Sequence, residues 1–148
     1  MDSFTFQEDV KTYCITASSF PEGIEEAHQR LHRLLPLNKR RNFYGVSWPA
    51  HDGAIIYKAA AEILDSDSDH LLPELEIFTI KNGPYNSLYI SNYRDNLSSI
   101  KQAFDLLLQQ HEVDPKGYCL EWYINENDVK CMVPLGPEYQ SYTGLNKE

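Results

Sequence analysis

Apolar positions along the chain follow two periods, and the switches between them outline the fold. Val10 to Ala17 alternates and is rich in β-branched residues, which predicts a strand. Ile24, Ala27, Leu31, Leu34 and Leu35 then recur at helical spacing and predict an amphipathic helix. Ser19-Phe20-Pro21-Glu22 has the form of a capping box at its start, and Pro36 marks its end. Lys39-Arg40-Arg41 leads into two further strands, Asn42–Trp48 and Ala54–Leu64, with Pro49 to Gly53 as the turn between them. The acidic stretch Asp65–His70 reads as a connection, and after it the pattern starts again. Leu75–Lys81 is strand-like, Asn82-Gly83-Pro84 is a turn, and Tyr85–Tyr93 alternates. Leu97, Ile100, Ala103, Phe104, Leu107 and Leu108 share one face of a second helix, which Asp95 or Asn96 can cap. Asp114-Pro115-Lys116-Gly117 is a turn, followed by strands Tyr118–Asn125 and Val129–Leu135 joined through Glu126-Asn127-Asp128.

The order is strand, helix, strand, strand, repeated with one additional strand-like stretch. It predicts an α+β fold: two such units share an antiparallel sheet, both helices lie on one face, and a ligand cleft runs between the halves. Residues 1–9 are polar and predict a flexible N-terminal arm. Residues 10–135 make a single domain, with pseudo-repeats at about 10–64 and 74–135, and residues 136–148 form a polar tail.

Charge and composition narrow the function. Thirteen Lys and Arg against 22 Asp and Glu give a net charge of −9, which repels phosphate backbones and argues against direct nucleic-acid binding. No apolar run approaches the about 18 residues of a membrane span. The N-terminus has neither the cationic nor the apolar region of a secretory signal, so a cytoplasmic protein without membrane contact is expected. The three cysteines, Cys14, Cys119 and Cys131, show no C-x-x-C spacing and predict neither a disulfide framework nor a zinc site. Without a phosphate-cradling glycine loop, a dinucleotide fingerprint or a G-x-S-x-G elbow, no cofactor is expected.

The unusual content is aromatic: 10 Tyr, 6 Phe and 2 Trp. In Cys119-Leu120-Glu121-Trp122-Tyr123, alternation puts Cys119, Glu121 and Tyr123 on one face and Tyr118, Leu120, Trp122 and Ile124 on the other. Glu121 is then either a charge on a solvated sheet face or a carboxylate sunk among aromatics, whose pKa desolvation raises. Tyr85, Ser87, Tyr89, Ser91 and Tyr93 share a strand face by the same parity, and Tyr44, Trp48 and Tyr57 can join them from the first half. Aromatic walls around one carboxylate suit an organic cation.

Other constellations are weaker. His28 and His32 stand at i, i+4, but Gln29 replaces the glutamate of a zinc-protease helix and no third ligand is near, so exposed helix-face histidines are expected. Asp65, Asp67 and Asp69 with Glu76 resemble a calcium loop, yet His70 occupies the position that needs glycine, which leaves a solvated acidic loop. Arg30, Arg33, Lys39, Arg40 and Arg41 read as a solvated basic helix end.

Phe43-Tyr44-Gly45-Val46, Ile56-Tyr57-Lys58-Ala59-Ala60-Ala61-Glu62, Gly83-Pro84-Tyr85, Leu120-Glu121-Trp122-Tyr123 and Cys131-Met132-Val133-Pro134-Leu135 together resemble the GyrI-like small-molecule-binding family. That family includes the effector-binding domains of multidrug-responsive transcription activators of the AraC and MerR types. The resemblance spans about residues 10–135. It implies that Glu121 meets a ligand, with Tyr123 two residues on, and that Tyr44, Tyr57 and Tyr85 line the cleft; Trp48 and Tyr89 join them from strand-face reasoning. It implies a stand-alone protein that binds cationic or aromatic amphipathic compounds. Two other roles come with it: a hydrolase of electrophilic cyclopropane-bearing toxins using Glu121 and Tyr123, and a modulator of DNA gyrase or a regulator through protein contact. Transcription-factor members add a DNA-binding module, for which 148 residues leave no room.

Overall fold

The computed structural model describes residues 1–35, 40–67 and 73–136. The elements run β1 (Asp2–Phe6), β2 (Val10–Thr16), α1 (Ile24–Leu34), β3 (Phe43–Pro49), β4 (Ile55–Glu62), β5 (Glu76–Ile80), β6 (Gly83–Ile90), a 3₁₀ turn (Tyr93–Asp95), α2 (Ser98–Leu108), β7 (Cys119–Tyr123) and β8 (Val129–Pro134). All eight strands form one antiparallel sheet in the order β1-β6-β8-β7-β3-β4-β2-β5. The predicted α+β class, the antiparallel sheet and the duplicated unit are therefore present.

The duplication is visible in the strand order. In the first unit β4 lies between β2 and β3; in the second, β8 lies between β6 and β7. The units meet at β3 and β7, so a hydrogen-bonded strand pair joins them. The outermost strands are exchanged: β5 precedes the second unit but flanks β2 of the first, and β1 precedes the first unit but flanks β6 of the second. This corrects the loose arm expected at 1–9. Phe4 and Phe6 turn inward from β1, and the Phe6 ring meets Tyr85 edge-on at 5.1 Å. Two alternating apolar residues are too short a run for periodicity to register, and the strand that orders them lies some eighty positions on.

Register fixes what each face carries. On one face α1 packs Ala27 and Leu31 onto Tyr13, Ile15, Ala59 and Ala61, whose small alanines admit the helix closely. On the same face α2 packs Ala103, Phe104 and Leu107 onto Val129, Cys131 and Val133. The opposite face has no helix, yet Cys14, Val46, Ile80, Leu120 and Met132 are fully buried there. The sheet curls around them, and aromatic side chains of the edge strands close the hollow: Phe78 of β5 meets Trp48 and Tyr118, and Phe4 of β1 meets Trp122.

Both helices start differently from expectation. Ser19 makes no side-chain cap; its carbonyl accepts from Gly23 N at 3.1 Å, and α1 begins only at Ile24. Neither Asp95 nor Asn96 caps α2, because the 3₁₀ turn precedes it and the Ser99 hydroxyl donates to the Asn96 carbonyl instead. The acidic connection is also more than a solvated loop. Arg41 donates bidentately to Asp67 at 2.8 and 2.9 Å and to the Glu62 carbonyl, and its side chain is 1% exposed. Asp67 also accepts from Leu64 N at 2.7 Å. Pro36, Lys39, Asp69, His70 and the tail from residue 137 lie outside the described residues.

Candidate functional site at the seam between the two units

Glu121 occupies the middle of β7 on the helix-bearing face, opposite Gly45 on β3 and Cys131 on β8. It is 9% exposed. Two phenols converge on it. Tyr57 of β4 donates to Glu121 Oε1 at 2.9 Å, and Tyr123 donates to the same oxygen at 2.5 Å. The two hydroxyls are 3.3 Å apart. Among the described residues, Oε2 has no hydrogen bond and no basic group pairs with the carboxylate.

Gly45 makes this crowding feasible. A Cβ at that position would stand 2.6 Å from Glu121 Oε1 and collide with the Tyr57 hydroxyl. One unit thus supplies the carboxylate and the other the missing side chain that admits it. Burial pushes the Glu121 pKa up, and the Tyr123 and Tyr57 hydrogen bonds oppose that rise. Burial and the neighbouring carboxylate hold Tyr57 and Tyr123 well above the ordinary phenol value, so both keep their protons. Burial, helped by Glu121, also raises the Cys119 thiol to about 11 and Cys131 further, which leaves neither a thiolate nucleophile.

The rim draws on both units. Phe20, 43% exposed in the segment before α1, tilts over Tyr57 at 6.2 Å. Tyr93, just after β6, tilts against Tyr123 at 5.9 Å. From α1, His28 brings Nε2 to 2.8 Å of the Tyr57 hydroxyl. Its ring meets Tyr57 and Tyr123 edge-on, with centroids at 5.8 and 5.3 Å.

The single aromatic wall expected from sequence divides between the two sheet faces. Glu121, Tyr57 and Tyr123 come together. Tyr44, Trp48 and Tyr85 lie on the curled face with Trp122, Phe78 and Tyr118. Parity dictates this: Tyr44 neighbours Gly45, and Tyr57 faces Ser47 across the ladder rather than Trp48. Tyr85 donates to the Lys81 carbonyl and touches the Tyr118 hydroxyl. Tyr89 is exposed and donates to Asp128 at 2.6 Å. Tyr93 leaves the Tyr85 face because Asn92, at φ 54°, turns the chain over to the helix side. His28 is half-buried rather than exposed, whereas His32 is exposed and stacks on Phe43 at 4.3 Å. His28, Gly45 and Phe20 escaped the sequence reading as site residues, although His28 sits one turn beyond Ile24 on the edge of the apolar stripe. Open depressions of about 600 Å³ over Ser91, Asn92 and Asn125 to Asp128, and about 460 Å³ beside Phe6 to Lys11, both lie away from Glu121.

No family model matches the chain. It is 30% identical over 102 residues to an FAD-linked oxidoreductase of Penicillium janthinellum, a match covering 69% of this chain and 22% of that protein. The chain thus spans about a fifth of the curated relative it matches. Among solved structures, SAV2435 bound to tetraphenylphosphonium aligns with a TM-score of 0.64 at 12% identity, over 96% of this chain and 97% of its own. A hydrolase from Listeria innocua aligns with a TM-score of 0.57 at 8% identity, over 91% and 90%. At such identities the likeness establishes a shared fold. No helix among the described residues is long and apolar enough to cross a membrane.

Proposed function

We propose that this chain is a GyrI-like small-molecule-binding protein that takes a lipophilic organic cation at Glu121. The observation that carries the reading is a buried carboxylate held by two phenol donors, with no cation partner among the described residues, at the seam of a duplicated fold. Carboxylates with pKa values perturbed by burial gather at binding and catalytic sites more than elsewhere. Oε2 is the oxygen left for a guest, and the part-exposed rings of Tyr123 and Phe20 offer π faces worth on the order of 2 kcal/mol per desolvated cation contact. A neighbour of the same fold was solved with tetraphenylphosphonium, a guest of this chemistry. Titration with tetraphenylphosphonium and with neutral triphenylphosphine oxide tests the reading. Glu121→Gln should weaken the cation about 100-fold and leave the neutral compound nearly unchanged. Equal losses for both compounds, or none, would refute it.

A hydrolase is the second reading, favoured by a desolvated carboxylate hydrogen-bonded to a phenol. Glu121 would take a proton from water as its oxygen bonds to a strained ring carbon. The ring C–C bond breaks, its electron pair takes the Tyr123 proton, and Glu121 returns a proton to Tyr123. Mass spectrometry on an activated cyclopropane tests this, and turnover that survives Glu121→Gln removes it.

A further inference from the structure

A tyrosine hydroxyl has one proton to give, and the Tyr57 hydroxyl has more than one taker. Its oxygen lies 2.9 Å from Glu121 Oε1, 2.8 Å from His28 Nε2 and 3.3 Å from the Tyr123 hydroxyl. Tyr123 commits its own proton to Glu121. Tyr57 can then donate to the carboxylate or to the imidazole, but not to both at once. The state of His28 decides which. With Nε2 protonated, the imidazole donates to a Tyr57 lone pair and the phenol proton points at Glu121. With Nε2 bare, the imidazole accepts that proton and the carboxylate loses one of its two donors.

His28 is placed for this choice. Its backbone belongs to α1, and edge-on contacts with Tyr57 and Tyr123 fix the ring plane. Among the described residues, the titratable groups facing it are His32 from its own helix, Tyr57 from β4 and Tyr123 from β7, with Glu121 one hydrogen bond further on behind Tyr57. Burial, with His32 adding repulsion, lowers its pKa to about 4, so the ring is neutral near pH 7 and has a single N–H to place. Hydrogen bonds in such a chain polarise one another, so the imidazole N–H strengthens the phenol as a donor.

We propose that His28 is a positioning residue of the Glu121 site, its Nε2–H fixing the Tyr57 hydroxyl as a donor to the carboxylate and thereby holding Glu121 in the charged form that a cationic guest requires. This deepens the binding reading above and rests on it for the guest, but not for the state of the carboxylate. His28 itself touches no guest; it acts through Tyr57.

The experiment reads the carboxyl group directly. Infrared spectra of ligand-free protein near neutral pH distinguish a protonated glutamic acid from a carboxylate, with the Glu121 band assigned by its loss in Glu121→Gln. His28→Phe and His28→Leu keep apolar bulk without a donor, whereas His28→Gln keeps an N–H donor. The wild type and His28→Gln should show Glu121 ionised, and His28→Phe and His28→Leu should show a protonated fraction. Affinity for tetraphenylphosphonium should fall about three- to tenfold in the donorless pair and stay within about twofold in His28→Gln, the range of one hydrogen bond. A protonated Glu121 in the wild type, an unchanged band in both donorless variants, or a shift shared equally by His28→Gln would overturn the proposal. Circular dichroism checks folding, and either donorless variant suffices should the other fail to fold. If tetraphenylphosphonium binds none of these proteins, the binding reading falls while the infrared band still decides the role of His28.

Discussion

The Tyr57 hydroxyl lies 2.9 Å from Glu121 Oε1, although 64 residues separate them and they belong to different units of the duplicated fold. The contact crosses the seam: β4 reaches β7 only through β3, and Gly45 on β3 leaves the space in which the two side chains meet. Tyr57→Phe deletes one of the two donors and keeps the ring. Affinity for tetraphenylphosphonium should drop roughly tenfold, as expected for a hydrogen bond to a charged group, with little change in a neutral analogue measured by the same titration.

Glu121 carries a stability cost. Its folded pKa lies above the ordinary carboxylate value because burial disfavours the charge. Above about pH 4.5 the native state therefore binds more protons than the unfolded chain, and stability falls as pH rises through the folded pKa. Glu121→Gln should melt higher than wild type at neutral pH, by on the order of 1 kcal/mol, with the gap narrowing as the solution is acidified. Thermal melts across pH check the sign.

His28 acts in the opposite sense. Its folded pKa of about 4 lies below the ordinary imidazole value of 6.5, so below pH 6.5 the unfolded chain gains protons that the native state refuses. Its contribution is fully present above pH 6.5 and is lost as pH falls towards 4. His28→Gln should flatten the acid limb of the stability profile in that window. Urea unfolding at stepped pH values reads it.

Gly45→Ala adds one methyl where Oε1 would stand 2.6 Å away. Overpacking of this kind costs roughly 1–3 kcal/mol, and here it also displaces Tyr57 or Glu121. Loss of tetraphenylphosphonium binding together with a lower unfolding midpoint is expected, although glycine has no special backbone angle to maintain at this position.

Tyr85 tests the division of the tyrosines between faces. Its hydroxyl bonds the Lys81 carbonyl and the Tyr118 hydroxyl within the curled face. Tyr85→Phe should destabilise by about 1 kcal/mol and leave ligand affinity unchanged. Reduced affinity at unchanged stability would place Tyr85 in the site after all.

Much of the fold was legible because each long element carries its own period. Leu31 and Ala27 mark the buried stripe of α1, and the alternation of Cys119, Glu121 and Tyr123 gives their common face. What escaped depended on partners distant in sequence. Phe4 and Phe6 become a strand only against β6, and Asp67 becomes buried only against Arg41. At the site, Glu121 with Tyr123 followed from strand parity alone. Tyr57 follows as a residue type, but its separation from Tyr44 and Trp48 depends on the β3–β4 register, which no local pattern encodes. The burial of His28 is not legible from helical periodicity, which ranks positions by hydrophobicity, so a histidine at the stripe edge reads as polar whatever lies opposite.

The exchange of outer strands has a mechanical consequence. Each unit's rim is finished by a strand that the other unit's leading segment supplies, so the chain is laced twice across its own middle. A hinge that swings one half away from the other would have to unzip both lacings along with the central ladder. Opening along the seam is thus opposed three times over, by β3 on β7, by β1 on β6 and by β5 on β2.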